Sequence, residues 1–396
     1  MRQTLWAVAT ALSLGPVGTF GAAAQGVAAE AVAALPPGDA DKGTPGDAPP
    51  AGPSGPNFAV VPGPFFNPNQ GLGVMVIPML MFRASATDDV SPPSLATLAG
   101  MYSVLPPLGD AGTRYSWGLV AATRLFLDED RWRIVLAAGY FDLYREFHGI
   151  GGNPTANALF DFRQAGAIAF AQVLREVGVR HLYAGVILGY TAFRAKASDP
   201  VGQAVLDSLG AGNEWSGQLN LGIAAQYDTR NDQYFASSGL DFGFRMNGSL
   251  KNDQQYLVVV PTFAQYFPLG EGRRVVIAYM VLGQFGFGAL PLASYANYGS
   301  RGTIPGYPAG EFMDKMMLGA QAEVRWLFWW RLGLEGGLGA GKVFPTFGEF
   351  WSQPWLPSGW GSLTYKVMED QEIRVRLTVA VGKSGALLYF ALGQNF

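Results

Sequence analysis

The chain contains no cysteine, only two histidines, and 14% charged residues among 396. Each shortage excludes a class of protein. Without cysteine there are no disulfides, thiolate metal sites or thiol nucleophiles. His148 and His181 stand far apart and leave almost no imidazole chemistry, and neither has an evident serine partner. A soluble domain carries about 25% charged residues, so this chain is short of water-facing surface. A formal charge of −3 argues against a nucleic-acid binder. A bundle of spanning helices is excluded as well, since each would need about 20 apolar residues in a row. One long uncharged stretch, residues 275–300, is broken by Gly283, Gly286, Gly288 and Pro291.

What is present divides into three parts. Arg2 precedes an apolar run from Leu5 to Leu14, and then Ala22-Ala23-Ala24 form a small-residue cleavage pattern. Residues 1–24 are therefore expected to be a secretory signal peptide. Residues 25–56 are mostly Ala, Pro, Gly and Asp without apolar periodicity, the composition of a disordered tether.

From residue 57 to 396 a period-two alternation recurs in segments of about ten residues, the pattern of a transmembrane β-barrel. In residues 218–228, Leu219, Leu221, Ile223, Ala225 and Tyr227 alternate with Gln218, Asn220, Gln226 and Asp228. Gln321, Glu323 and Arg325 alternate with Ala322, Val324 and Trp326, and Asp241, Gly243 and Arg245 with Phe242, Phe244 and Met246. Glu372, Arg374 and Arg376 alternate with Ile373, Val375 and Leu377. One face is suited to hydrocarbon and the other to a polar lumen. Roughly fifteen clear segments and a weaker one at residues 58–66 make sixteen, and bacterial barrels take even numbers. The expected fold is thus all-β, a 16-stranded antiparallel transmembrane barrel with a long external loop folded into its lumen. Short links alternate with long ones, as periplasmic turns alternate with external loops, and the longest, 288–314, falls between the eleventh and twelfth strands. Aromatic clusters, with Trp326, Phe328, Trp329 and Trp330 at one turn and Phe344 to Trp360 around one loop, read as interfacial girdles.

Several motifs then resemble the BamA/TamA outer-membrane assembly-factor superfamily, the bacterial surface-antigen barrels. Asp228, Arg230 and Asp232, followed by Phe235 and Ser238-Gly239, resemble its periplasmic turn motif. The last segment, with Phe390, Leu392 and a terminal Phe396, resembles its carboxy-terminal strand signal. Residues 301–325, RGTIPGYPAGEFMDKMMLGAQAEVR, resemble its sixth external loop, whose Arg-Gly-aromatic tip folds into the lumen. The resemblance covers residues 57–396 and implies a barrel-only member without POTRA domains, with Arg301, Gly302, Gly306, Tyr307 and Asp314 on the lumen loop. The usual tip arginine is replaced by Pro305, and its usual acidic partner by Gly339. Glu323, Glu335, Glu372 and Asp241 are the candidate lumen partners for Arg301, beside Arg325 and Arg374 on the same inner face.

The resemblance implies residence in the outer membrane of a Gram-negative-type bacterium. It also implies insertion by the barrel-assembly machinery, and a role in inserting or translocating proteins with a client or periplasmic partner. Alternatives are a passive channel with a loop-constricted polar lumen, or a structural surface protein. No enzymatic centre, cofactor or metal site is expected. Gly336 to Lys342 mimics a phosphate loop, but Val343 stands where Ser or Thr is required, and the run alternates as a strand.

Overall fold

The computed structural model describes residues 56–396 except 68–70, 86, 106–113, 155–158, 234, 252–253, 271–273, 300–303, 309, 367–373, 393 and 395. Side chains at 64–67, 71, 251, 254 and 389–392 also lie outside the description.

Strands β1 (Asn57–Asn67), β2 (Gly71–Phe82), β3 (Ser94–Leu105), β4 (Arg114–Leu127), β5 (Trp132–Phe147) and β6 (Phe160–Glu176) begin the wall. β7 (Leu182–Ala197), β8 (Ser216–Asp228), β9 (Gly239–Lys251), β10 (Gln254–Leu269) and β11 (Val275–Gly288) continue it. β12 (Ala296–Tyr298) and β13 (Phe312–Asp314) form a separate small hairpin within the long loop. β14 (Met316–Trp329), β15 (Leu332–Phe344), β16 (Leu356–Lys366), β17 (Arg374–Gly382) and β18 (Gly385–Leu392) complete the wall. All sixteen wall strands pair antiparallel with their sequence neighbours, β11 pairing with β14 across the loop.

Alternation decides the two faces. Leu219, Leu221 and Ile223 are exposed on the outer face of β8, while Gln218 and Asn220 are buried within. On β14 the exposed Val324 and Trp326 alternate with buried Gln321, Glu323 and Arg325. On β17 the exposed Leu377, Val379 and Val381 alternate with buried Arg374, Arg376 and Thr378. An outer face this apolar is stable only against hydrocarbon.

The inner face is not uniform. Met75, Ile77, Met79 and Met81 of β2 point inward and are buried with Leu95 and Met101 of β3. Since Leu72, Val74, Val76 and Leu80 are exposed outside, β2 is apolar on both faces. The expected polar lumen is therefore confined mainly to the later strands.

External loops cover the outer mouth. The loop after β7 folds into a helix, α1 (Pro200–Ser208), started by Pro200 and by Asp199, whose side chain accepts the Gly202 N–H at 2.8 Å. Leu206 of α1 is fully buried against the long loop, and the Leu292 N–H donates to the Leu209 carbonyl at 2.9 Å. From the loop after β5, the Gly151 N–H donates to the Met313 carbonyl at 2.8 Å. Three external loops thus interlock.

β1 and β18 come alongside each other with Cα atoms within 8 Å. Among the described residues, no backbone ladder joins them.

Candidate functional site

The long loop, residues 289–315, enters the lumen and seals to the wall through its tip. Tyr307, Tyr298 and Ile304 are each 0% exposed. The Tyr307 hydroxyl donates to the Pro357 carbonyl of β16 at 2.6 Å and accepts from the Lys383 N–H at 3.3 Å, bridging β16 and the β17–β18 turn. The Tyr298 hydroxyl donates to the Leu356 carbonyl at 2.6 Å. Gly306 has φ +111°, and a Cβ there would meet Ser358 and the Val381 carbonyl at 3.0–3.1 Å, so only glycine fits this close approach.

The glycine strip of β15 receives this tip. A Cβ on Gly339 would meet the Ile304 Cγ2 at 2.6 Å, and one on Gly341 would meet the Tyr298 ring at 2.5 Å. Gly319 of β14 borders the same isoleucine. The strip admits the side chains of Ile304 and Tyr298. The described contact at Gly339 is therefore apolar packing, where an arginine–carboxylate lock is the family expectation.

Arg301, Gly302 and Glu372 lie outside the described residues. The other candidate partners for Arg301 are engaged by arginines of the protein's own wall and periplasmic turn. Glu323 accepts from the Arg325 Nε at 2.7 Å, Glu335 lies 3.5 Å from Arg376, and Asp241 lies 3.4 Å from Arg230. Charges in a low-dielectric interior must be neutralised locally, and neighbouring strands supply the nearest counter-ions.

Burial within the loop also perturbs its acids. Desolvation raises Asp314 to about 6, opposed by the Lys315 N–H, which donates to it at 2.8 Å, and by the Lys315 charge. Glu311 is raised by burial too, opposed by the Ser384 hydroxyl, which donates to it at 2.7 Å.

A second closure lies at the periplasmic mouth, built on the turn motif. Arg133 of β5 donates twice to Asp130, at 3.0 and 2.7 Å, and once to Asp228 at 2.8 Å, while stacking 3.9 Å over the Tyr183 ring. Arg230 forks onto Asp228 at 2.9 and 3.0 Å. Asp232 caps the turn by accepting the Phe235 N–H at 2.8 Å. Gly239 reverses the chain at φ +97°, where a side chain would collide with the Thr229 carbonyl.

This turn reaches the end of the chain across Arg325, a fully buried guanidinium. Arg325 donates to the Ala236 carbonyl at 3.0 Å, the Gln394 side chain at 2.8 Å and the Phe396 carbonyl at 3.0 Å. The rings of Phe235, Tyr266 and Phe396 surround it at 5.3–5.6 Å. Strand β18 stops at Leu392, and Phe396 packs inside, where the sequence led us to expect the last strand to run through it. The cation explains the difference: buried, it takes the carbonyls and ring faces within reach. Backbone at Phe390 and Leu392 belongs to β18, and their side chains lie outside the description.

Neither Ile304 nor Gln394 was anticipated. Tyr298 precedes Gly299 at φ +88°, a local signal of a tight turn; Ile304 and Gln394 carry none.

A sixteen-stranded antiparallel sheet with an apolar outer face, short turns at one end and an inward-folded external loop defines an outer-membrane β-barrel. Residues 166–374 match the Omp85 superfamily domain, and the chain belongs to that superfamily. A comparison with curated proteins gives no match. Among solved structures, it resembles BamA from Haemophilus ducreyi lacking POTRA domains 1–3, with TM-score 0.54 and 14% identity over 85% of this chain and 69% of that one. CdiB from Acinetobacter baumannii gives TM-score 0.53 at 12% identity, over 86% of this chain and 60% of its own. CdiB from Escherichia coli gives 0.55 at 10% identity, over 85% and 62%. The chain thus spans roughly three fifths to two thirds of these proteins, and the likeness is one of fold.

Proposed function

We propose that this barrel aids the insertion or translocation of protein segments at the outer membrane, by noncovalent strand pairing at the β1–β18 seam. One observation carries the reading: among the described residues, the two edge strands lie side by side without a ladder. An unpaired edge presents a row of N–H and C=O groups, which is a template for an incoming strand. Gln394 and Phe396 support it, because both are committed to Arg325. No covalent step and no cofactor is required. Residues 1–24 would direct export and residues 25–56 would tether the barrel.

The test uses the absence of native cysteine. Cysteine pairs scanned along β1 and β18 lock the seam on oxidation. In vesicles, the reduced protein should accelerate folding of an unfolded barrel client and the oxidised protein should not. Equal rates in both states would sink the proposal.

A passive channel is the second reading, and the inward-folded loop weighs against it. The tip and the small hairpin pack on the inner wall of the external half, and Phe235 and Phe396 flank Arg325 at the periplasmic mouth. Large, steady conductance of the intact chain in planar bilayers, unchanged on deleting residues 291–313, would favour it instead.

A further inference from the structure

On the outer face of β14 to β17, register lines up three rows of side chains. The first row is Trp326, Leu334, Leu363 and Leu377, each directly opposite the next. The second is Val324, Gly336, Gly361 and Val379. The third is Ala322, Leu338, Gly359 and Val381. The middle row therefore has no side chain on its two central strands. A Cβ on Gly336 or Gly361 would meet nothing nearer than 3.9 or 4.0 Å, so the space is open. The result is a groove of about 560 Å³, floored by backbone and rimmed by exposed Trp326, Leu334, Leu363, Leu377 and Val379.

We infer that this groove holds one acyl chain of a phospholipid from the periplasmic leaflet. Its floor offers no hydrogen bond, because the backbone on either side is engaged in the ladders between β14, β15 and β16. A peptide edge or a polar headgroup would leave its own groups unsatisfied there, and a hydrocarbon chain leaves none. The groove is continuous with the lipid-facing surface, so no soluble occupant can reach it without crossing hydrocarbon. Its aromatic end fixes the leaflet. Trp326 is followed by exposed Phe328, Trp329 and Trp330 at a short turn, and such turns face the periplasm while indoles sit at the headgroup level. A smooth wall holds lipid only as exchanging solvent; a depression one side chain deep adds contact on the chain's flanks. The inference rests on the membrane-spanning fold and is independent of client insertion at the seam.

The test fills the groove. Full-length protein is placed in nanodiscs of phosphatidylethanolamine and phosphatidylglycerol, then released for native mass spectrometry. Wild type should retain one phospholipid. Gly361→Leu, or Gly336→Leu should the first variant fail to show the heat-shifted folded band, should reduce retention roughly ten-fold. Ala121→Leu, which adds one carbon less to the exposed face of β4, should leave it unchanged. Equal retention by the filled variants overturns the assignment. So does a dimer that vanishes on filling, because the occupant is then a second copy of the chain.

Discussion

Tyr307 donates its hydroxyl to the carbonyl of Pro357 at 2.6 Å, joining the tip of the long external loop to β16 fifty residues later. The bond is part-buried and neutral, so removing the hydroxyl leaves the carbonyl without that donor. Tyr307→Phe should weaken loop docking by about 1 kcal/mol, and Tyr307→Ala by about 3 kcal/mol as the ring contacts with Tyr298 and Phe312 go too. Hydrogen exchange of residues 289–315 measures both. Equal protection in all three proteins would show that the tip does not hold the loop.

The apolar seat of the tip gives a complementary prediction. Gly339→Ala places a methyl 2.6 Å from the Ile304 Cγ2 and should cost about 1–3 kcal/mol of docking. Ile304→Ala removes the clashing Cγ2 methyl, so Gly339→Ala should cost less in that background than in the otherwise unchanged chain. An equal cost in both backgrounds would place the clash elsewhere.

Acid should tighten the loop. Asp314 is raised to about 6 from the usual 3.8, so below the lower value both folded and unfolded carboxyls are protonated and the docked state carries no charge penalty. The advantage is lost as pH rises through 6, where the buried carboxylate must ionise. Loop exchange, corrected at each pH for the intrinsic base-catalysed rate, should therefore accelerate between about pH 4 and 6.5. Asp314→Asn should flatten most of that rise, leaving the smaller part contributed by Glu311, which shifts in the same direction. An unchanged slope in the asparagine variant would remove Asp314 as its source.

At the periplasmic mouth, two arginines two residues apart should behave very differently. Arg133→Met uncouples Asp130 and Asp228 and should lower stability by about 3 kcal/mol, because breaking a buried pair leaves charge uncompensated. Arg131 pairs with Asp128 and Glu129 in the open, and its replacement by Met should change stability by under about 0.5 kcal/mol. Urea unfolding of the detergent-folded barrel compares the two, and similar midpoints would contradict the assignment of the inner network.

Arg325 holds the turn and the chain end together. With a reporter at Ala236→Cys, a buried position in a chain without other cysteine, the intact protein should react slowly with a water-soluble maleimide. Adding Arg325→Met should accelerate labelling roughly ten-fold or more, an opening shift of about 1.4 kcal/mol. Labelling at one rate in both would mean that the turn is held without the cation.

The wall was legible where its two faces meet different surroundings. β8, β14 and β17 alternate visibly because one face meets hydrocarbon and the other carries amides and ions. β2 hides its period, since Val74, Met75, Val76, Ile77 and Met79 are apolar whichever way they point. At the site, Asp228, Arg230, Asp232 and Gly239 were readable because a turn confines its chemistry to a few consecutive residues. The seat of Ile304 between Gly319 and Gly339 was not, for an apolar contact between distant residues leaves no local pattern. Phe396 read as the end of a strand, and only the position of Arg325 in space turns it inward.

The doubly apolar β2 bears on what happens should β1 ever peel away. A parting there would bare a row of thioethers and one isoleucine to the bilayer core, with no ionic group among Met75, Ile77, Met79 and Met81. Lipid tails could wet that inner surface at little cost, so the breach would be oily on both of its banks rather than a leak for water.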